Sequence, residues 1–169
     1  MHPAFALIER RLSDLEKEVE RFEQALRMVS EHRLFEGKLS WLALSGLSAG
    51  TSAVHSGMEK ILAGIMETID GWTPSGGCSN QDILDAASIR TENRPPIVSE
   101  ELYTKLVEAK SFRHFDRHNY RFVLDAEKTL AAAKLAMETA RSFILDTRQF
   151  LKEFDDVNVH ENRVADPKI

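Results

Sequence analysis

The chain has 169 residues, of which 43% are hydrophobic and 29% are charged, and its formal net charge is −5. These values fit a single soluble globular domain and exclude a protein whose whole surface attracts nucleic acid. The lone cysteine, Cys78, excludes an internal disulfide and suits a reducing compartment, so we expect a cytoplasmic protein.

The first predicted element is a long amphipathic helix over residues 3–35. Its apolar residues alternate at spacings of three and four, and charged residues fill the other faces. The apolar positions are Phe5, Ile8, Leu12, Leu15, Val19, Phe22, Leu26 and Val29. The pattern is typical of one helix of a bundle and equally of a coiled-coil partner.

A second long helix is predicted over residues 39–70. Its first part, residues 39–58, contains no acidic residue, lysine or arginine and is long enough to cross a bilayer. Half of those residues are Ser, Thr, Gly or His, which are costly in hydrocarbon unless they find partners. We therefore expect a buried central helix and no membrane contact.

The middle of the chain is predicted to be less regular. Glycine and proline over residues 71–79 indicate a loop, and a short helix follows at residues 81–89. Two adjacent prolines make residues 90–98 extended or irregular, because a proline disfavours helix in the residue before it. A third long helix begins near Ser99, which is a good N-cap.

The fourth long helix carries apolar residues at seven-residue intervals, with alanines beside them for close packing. These positions are Val123, Leu130, Met137, Ile144 and Leu151, with Ala126, Ala133 and Ala140. Steps of seven from Leu102 reach Asp116, so the apolar pattern is interrupted there, and a break is predicted at residues 117–122. The fold is therefore all-α, with one domain at residues 1–156 and a polar tail at 157–169.

Residues 113–120 concentrate the reactive side chains of the chain. Two arginines, two histidines, a carboxylate and a phenol lie within eight residues. They are Arg113, His114, Asp116, Arg117, His118 and Tyr120. One interpretation is structural, because cations favour the C-terminal end of a helix. The other is a site that binds phosphate and moves protons beside it.

Arg113 and His118 lie about 140° apart around a straight helix, because they are five residues apart. They converge on one ligand only if the helix ends between them or if two chains supply them. His114 and His118 have the spacing of a helical metal pair, with Asp116 as a candidate third ligand. There is no H-E-x-x-H pattern and no cysteine group, so we predict no metal and no cofactor.

The spacing Arg113-X4-His118-X-Tyr120 resembles the signature of HepT-type toxins in the HEPN superfamily. His114 fits the polar residue that commonly follows the arginine in this family. The apolar second helix, the loop with its short helix, and a motif at the end of a later helix are also similar to HEPN organisation. The resemblance covers residues 7–154 and implies a HEPN-type antiparallel bundle of four long helices plus a short helix.

The resemblance implies a metal-independent ribonuclease that works as a homodimer, within a larger hetero-oligomer where the partner joins. Both copies of the motif then face one cleft. Arg113 and His118 are the implied catalytic residues: the arginine holds the scissile phosphate, and the histidine exchanges a proton with the ribose 2′-hydroxyl or the leaving 5′-oxygen. His114, Asp116 and Arg117 are implied supporting residues. The substrate class is RNA, with tRNA as a candidate.

The matching tyrosine in HepT-type systems receives AMP groups from a nucleotidyltransferase antitoxin, MntA. The resemblance therefore implies that Tyr120 is an AMP acceptor and that the chain belongs to a type VII-like toxin–antitoxin pair. Added phosphate charge beside Arg113 would block RNA entry. A packing tyrosine is the plain alternative.

Two other functions stay open from the sequence. One is a non-catalytic HEPN protein that binds RNA or a nucleotidyltransferase. The other is a structural helical adaptor that uses its first helix as a coiled coil.

Overall fold

The computed structural model describes the backbone of residues 3–74, 80–118 and 124–164, and the side chains of residues 5–74, 81–110 and 124–156. Within these ranges the chain is all-α and contains no strand, which confirms the predicted fold class. The helices are α1 Pro3–Glu31, α2 Ser40–Asp70, α3 Asn80–Ser88, α4 Glu100–His118 and α5 Ala126–Val164, with a 3₁₀ turn at Gly37–Leu39.

Helix α1 buries its whole predicted apolar face inside its own chain. All eight of the predicted apolar positions are buried, and α1 packs against α2 and α5. A coiled coil with another chain would need that same face exposed. The predicted end at Phe35 is wrong, because the helix ends at Glu31 and Arg33 takes a left-handed φ of 49°.

Helix α2 is the central helix, as predicted. It contacts all four other helices and buries Val54, Ile61 and Ile65 almost completely. Glycines bring α1 close: a Cβ added at Gly50 would lie 2.5 Å from Cε2 of Phe22. Farther along, Gly57 faces Leu15 and Gly64 faces Arg11, so α1 and α2 run antiparallel.

Helix α5 runs antiparallel to α1. The ring of Phe154 meets that of Phe5 edge-on at 5.8 Å, and Arg141 Nη2 donates to Glu23 Oε2 at 2.5 Å. Its predicted apolar positions from Leu130 to Leu151 pack into the core, whereas Val123 lies outside the described residues. The helix continues to Val164, past Asp156, where the domain was predicted to end.

Helix α4 runs antiparallel to α5 and begins as predicted. The Ser99 hydroxyl accepts a hydrogen bond from the Leu102 backbone N–H at 3.1 Å, which makes Ser99 the N-cap. The same hydroxyl donates to Asp146 Oδ2 at 3.2 Å, so α4 starts beside the middle of α5. Because only seven residues separate His118 from the first residue of α5, α4 must run back toward the start of α5.

One end of the bundle therefore holds three features together, and we call it the motif end. Helix α4 ends there and α5 begins there. Helix α1 runs antiparallel to both α5 and α2, so the turn between α1 and α2 lies at this end as well. Of the break predicted at residues 117–122, positions 117 and 118 are still helical, and residues 119–122 lie outside the described residues.

The opposite end is held by a buried ion pair. Arg94 Nε donates to Asp70 Oδ2 at 2.8 Å, and its side chain is 1% exposed. The same guanidinium donates to the backbone carbonyls of Ala86, Ile89 and Pro95. Residues 90–98 are irregular, as predicted, and this network ties them to the ends of α2 and α3.

The described helices were compared with the length and hydropathy that a membrane-spanning helix needs. No described helix is long and apolar enough to span a bilayer, including the part of α2 that carries no formal charge.

Candidate active site at the end of helix α4

Five of the six predicted site residues lie on the last turns of α4. Arg113, His114, Asp116, Arg117 and His118 all fall within the helix, and His118 is its final residue. Their side chains, and Tyr120 as a whole, lie outside the described residues. The structure therefore places five of the predicted residues at the motif end by their backbone.

The helical backbone fixes the relative positions of these residues. Because α4 is helical through His118, positions 113 and 118 lie about 140° apart around its axis. Positions 114 and 118 share one face, and positions 113 and 117 share another. Positions 113 and 118 therefore lie on different faces of one α4.

A polar network fixes α3 against α4 just before this cluster. Lys110, three residues before Arg113, donates from Nζ to Gln81 Oε1 at 3.1 Å. Gln81 Nε2 donates to Asp85 Oδ1 at 2.7 Å, and the Tyr103 hydroxyl donates to the same oxygen at 2.7 Å. Helix α4 is thereby bonded to α3 through Tyr103 and Lys110, both of which precede the cluster.

The network shifts the acidities of its members in the expected directions. The hydrogen bond from the Tyr103 hydroxyl, followed by that from Gln81, lowers the pKa of Asp85. The same bond raises the pKa of Tyr103, because ionisation would remove the donated proton. The sequence analysis missed this network. Only the i, i+4 spacing of Gln81 and Asp85 on α3 offered a local signal.

A groove between α1 and α2 does not suit an anionic substrate. It has a volume of about 540 Å³, and none of its lining residues comes from α4. Its charged lining residues are two cations and three carboxylates: Arg11, Lys60, Asp14, Glu18 and Glu67. A nucleic-acid backbone would meet net negative charge there, so the motif end is the better candidate.

No metal site is evident among the described side chains, where no group of three His, Cys, Asp or Glu residues comes together. The His114 and His118 side chains fall outside that range.

A comparison with models of known protein families shows which family the chain belongs to. A sequence model of a family described as HepT-like protein matches residues 49–154. The chain belongs to the HepT-like family. The predicted resemblance to HepT-type proteins of the nuclease-related HEPN superfamily is thereby confirmed. The matched range runs from the first part of α2 to the later part of α5 and includes Arg113–Tyr120. No curated protein and no solved structure matches the chain.

Helix α1 lies before the range that the HepT-like family matches. It nevertheless supplies a full face of the core, from Phe5 to Val29. The fold of this HepT-like protein therefore depends on a helix beyond the matched range.

Proposed function

We propose that this HepT-like protein is the endoribonuclease toxin of a type VII-like HEPN/MNT toxin–antitoxin pair, acting in the cytoplasm on RNA, with tRNA as the candidate substrate. The observation that carries the proposal is Arg113-X4-His118 on the last turns of α4, in a chain of the HepT-like family. An arginine and a histidine suffice for this chemistry without a metal ion.

In the proposed reaction, His118 accepts the proton of a ribose 2′-hydroxyl. The 2′-oxygen then attacks the adjacent phosphorus, and the bond from phosphorus to the 5′-oxygen breaks. The leaving 5′-oxygen takes up a proton, which the same His118, protonated in the first step, gives back. The ordinary pKa of histidine lies near neutrality and suits both transfers.

Arg113 binds the scissile phosphate in this scheme. A planar guanidinium offers several N–H donors to the phosphate oxygens and stabilises the charge that develops on them during attack. His114, Asp116 and Arg117 orient these two groups or the RNA strand as supporting residues.

The proposed site is composite. Positions 113 and 118 lie about 140° apart on one α4, so two copies that face each other across a two-fold axis bring an arginine from one and a histidine from the other together. The homodimer is thus part of the catalytic proposal.

Tyr120 is the residue through which the proposed ribonuclease is inactivated. An MntA-like nucleotidyltransferase antitoxin would join the Tyr120 oxygen to the α-phosphorus of ATP, and pyrophosphate would leave. The added phosphate would then occupy the place that Arg113 offers to RNA.

The cleavage test uses total tRNA and total RNA with the wild type, Arg113→Ala and His118→Ala. Wild type should cleave in the presence of EDTA, and 2′-deoxy substitution at the cleavage position should abolish cleavage. Loss of His118 should cost about 10²–10⁴-fold and loss of Arg113 about 10²–10³-fold in rate. Arg90→Ala, an exposed arginine at the opposite end, is the control and should retain activity.

Equal absence of cleavage by the wild type and both variants would refute the nuclease. If the variants still bound RNA or the nucleotidyltransferase normally, the non-catalytic alternative would take its place.

The modification test uses the fact that the chain has two tyrosines, Tyr103 and Tyr120. Intact mass after incubation with ATP and the partner enzyme should rise by whole AMP units in the wild type and in Tyr103→Phe. Tyr120→Phe should gain nothing. No gain in the wild type would contradict the assignment of Tyr120.

A further inference from the structure

Lys110 lies on a line along α4 that runs between the two implied catalytic positions. Successive helical residues are about 100° apart around the axis, so position 113 lies about 60° to one side of Lys110 and position 118 about 80° to the other. Position 117 lies within about 20° of the same line. We call this line, through positions 110 and 117, the α4 midline. An RNA strand bound between positions 113 and 118 would lie over it.

Helix α3 covers the α4 midline only as far as Lys110. The two helices run antiparallel, because the start of α3 bonds to Lys110 and its end bonds to the residues before α4. Gln81 Oε1 accepts from Lys110 Nζ at 3.1 Å, and the Ala87 carbonyl accepts from the backbone N–H of Ile97 at 2.8 Å. Since Gln81 is the second residue of α3, this helix begins near the level of Lys110 and does not extend over positions 113–118.

The ammonium group of Lys110 keeps its charge available for a ligand. It donates to the amide oxygen of Gln81, which is a neutral acceptor. None of the carboxylates among the described side chains forms an ion pair with it. Asp85 belongs to the same network, but its Oδ1 already accepts from Tyr103 and Gln81. An ammonium group has three N–H donors, so the bond to Gln81 leaves the others for phosphate oxygens.

The other lysine of α4 is in a different situation. Lys105 donates to Glu101 Oε1 at 2.7 Å, four residues away on the same helix, so its charge is already paired. It lies about 140° from Lys110 around α4, because the two are five residues apart. Lys110 is therefore distinguished from Lys105 both by its place on the helix and by its neutral partner.

We propose that Lys110 binds a backbone phosphate of the RNA strand, next to the scissile phosphate at Arg113, and that Gln81 holds the ammonium group in place. This inference rests on the proposed function, because it takes the motif end as the RNA site. Positions 110 and 113 are about 4.5 Å apart along the helix axis, so the two phosphates are near neighbours on the strand. Such a contact positions the strand without reading its sequence.

The salt dependence of RNA binding tests the contact directly. Binding of a fluorescein-labelled single-stranded RNA of mixed sequence is measured on a His118→Ala background, which leaves the RNA intact. Each phosphate contact to a single strand contributes about 0.7 to the steepness of log Kd against log salt concentration. Adding Lys110→Met should lower the steepness by about that amount and weaken binding about tenfold at low salt. Lys110→Arg keeps the charge and should retain the steepness.

Lys105→Met is the matched control, because it removes the same charge from the same helix. It should leave the salt dependence unchanged. Loss of the bond from Lys110 to Gln81 could lower the Tm, but it would not change the number of counterions that RNA releases on binding. An unchanged salt dependence in Lys110→Met, an equal loss in Lys105→Met, or no RNA binding by the His118→Ala protein would overturn the inference.

Cleavage kinetics separate this inference from the proposed ribonuclease. On the wild-type background, Lys110→Met should raise the KM for tRNA and leave kcat within about twofold, because the contact is shared by bound substrate and transition state. A lowered kcat with an unchanged KM would overturn the inference. If the wild type cleaves nothing while RNA binding still depends on Lys110, the ribonuclease is refuted and the phosphate contact stands.

Discussion

Removing Arg94 should destabilise the protein more than removing any exposed arginine. Its buried guanidinium donates to Asp70 Oδ2 at 2.8 Å and to the carbonyls of Ala86, Ile89 and Pro95 at 3.1, 3.1 and 3.3 Å. The Ala86 carbonyl lies in the last turn of α3 and the Ile89 carbonyl directly follows the helix, where no intrahelical donor is available. Arg94 thus joins α2, α3 and the loop before α4.

The substitution Arg94→Met keeps much of the apolar stem but leaves the Asp70 carboxylate with the Thr91 hydroxyl, which donates to Oδ1 at 3.0 Å. Asp70 is 11% exposed, so water replaces little of the lost interaction. Breaking a buried pair by removing one partner costs about 3–5 kcal/mol. For a chain of this length that corresponds to a fall in Tm of about 6–20 °C.

Urea unfolding followed by circular dichroism measures this cost, with Arg90→Met as an exposed control that should change stability by less than about 0.5 kcal/mol. The double variant Asp70→Asn/Arg94→Met should recover part of the loss, because no buried charge is then left uncompensated. An Arg94→Met protein within about 1 kcal/mol of wild type would refute the reasoning.

Three further predictions concern stability. Gly46→Ala should stabilise the protein by about 0.5–1 kcal/mol, because nothing lies within 4 Å of the added Cβ. Gly50→Ala should destabilise it by about 1–3 kcal/mol, because the added Cβ would collide with the ring of Phe22. Thermal unfolding of the two variants measures both changes. Ser99→Ala should cost about 1 kcal/mol through loss of the α4 N-cap, and a cost near zero in urea unfolding would count against the cap. The pKa of Asp85 is lowered in the folded protein, so its ionised form stabilises the fold at pH values above the unfolded-state pKa. That stability is lost as the pH falls through the folded-state pKa. The Tm difference between wild type and Tyr103→Phe should therefore shrink below about pH 4. An equal difference at pH 7 and pH 3 would exclude this linkage.

The features that the sequence predicted well are those with a local physical cause. The spacing of apolar residues in α1 identifies its buried face, because a helix repeats every 3.6 residues. The N-cap at Ser99 is also predictable, because its hydroxyl bonds a backbone N–H only three residues away.

The features that it did not predict depend on distant contacts or on weak local preferences. Apolar residues continue past Glu31, but Arg33 turns the chain and pairs with Glu36, so the helix ends early. Helix α5 continues to Val164, because polar residues alone do not stop a helix and no proline occurs between the start of α5 and Pro167. The Arg94–Asp70 pair joins residues 24 positions apart, a separation with no sequence signature.

The residues predicted for the candidate site, and the chemistry assigned to them, stay a prediction. The spacing from Arg113 to Tyr120 drew attention to the end of α4, and five of the six residues lie on that helix. The motif does not indicate how a second copy would approach, because the geometry of an interface depends on the surface around the motif rather than on the motif itself.

The central claim is that Arg113 of one subunit and His118 of the other form one ribonuclease site, and a mixing experiment tests it directly. Arg113→Ala and His118→Ala proteins, differently tagged, are allowed to exchange subunits, and their tRNA cleavage is compared with that of each variant alone. In a two-fold dimer the mixed species keeps one intact site of two, so random exchange should restore about a quarter of wild-type activity. An active wild type beside a mixture as inactive as either variant alone, with exchange verified by the tags, would contradict the composite site.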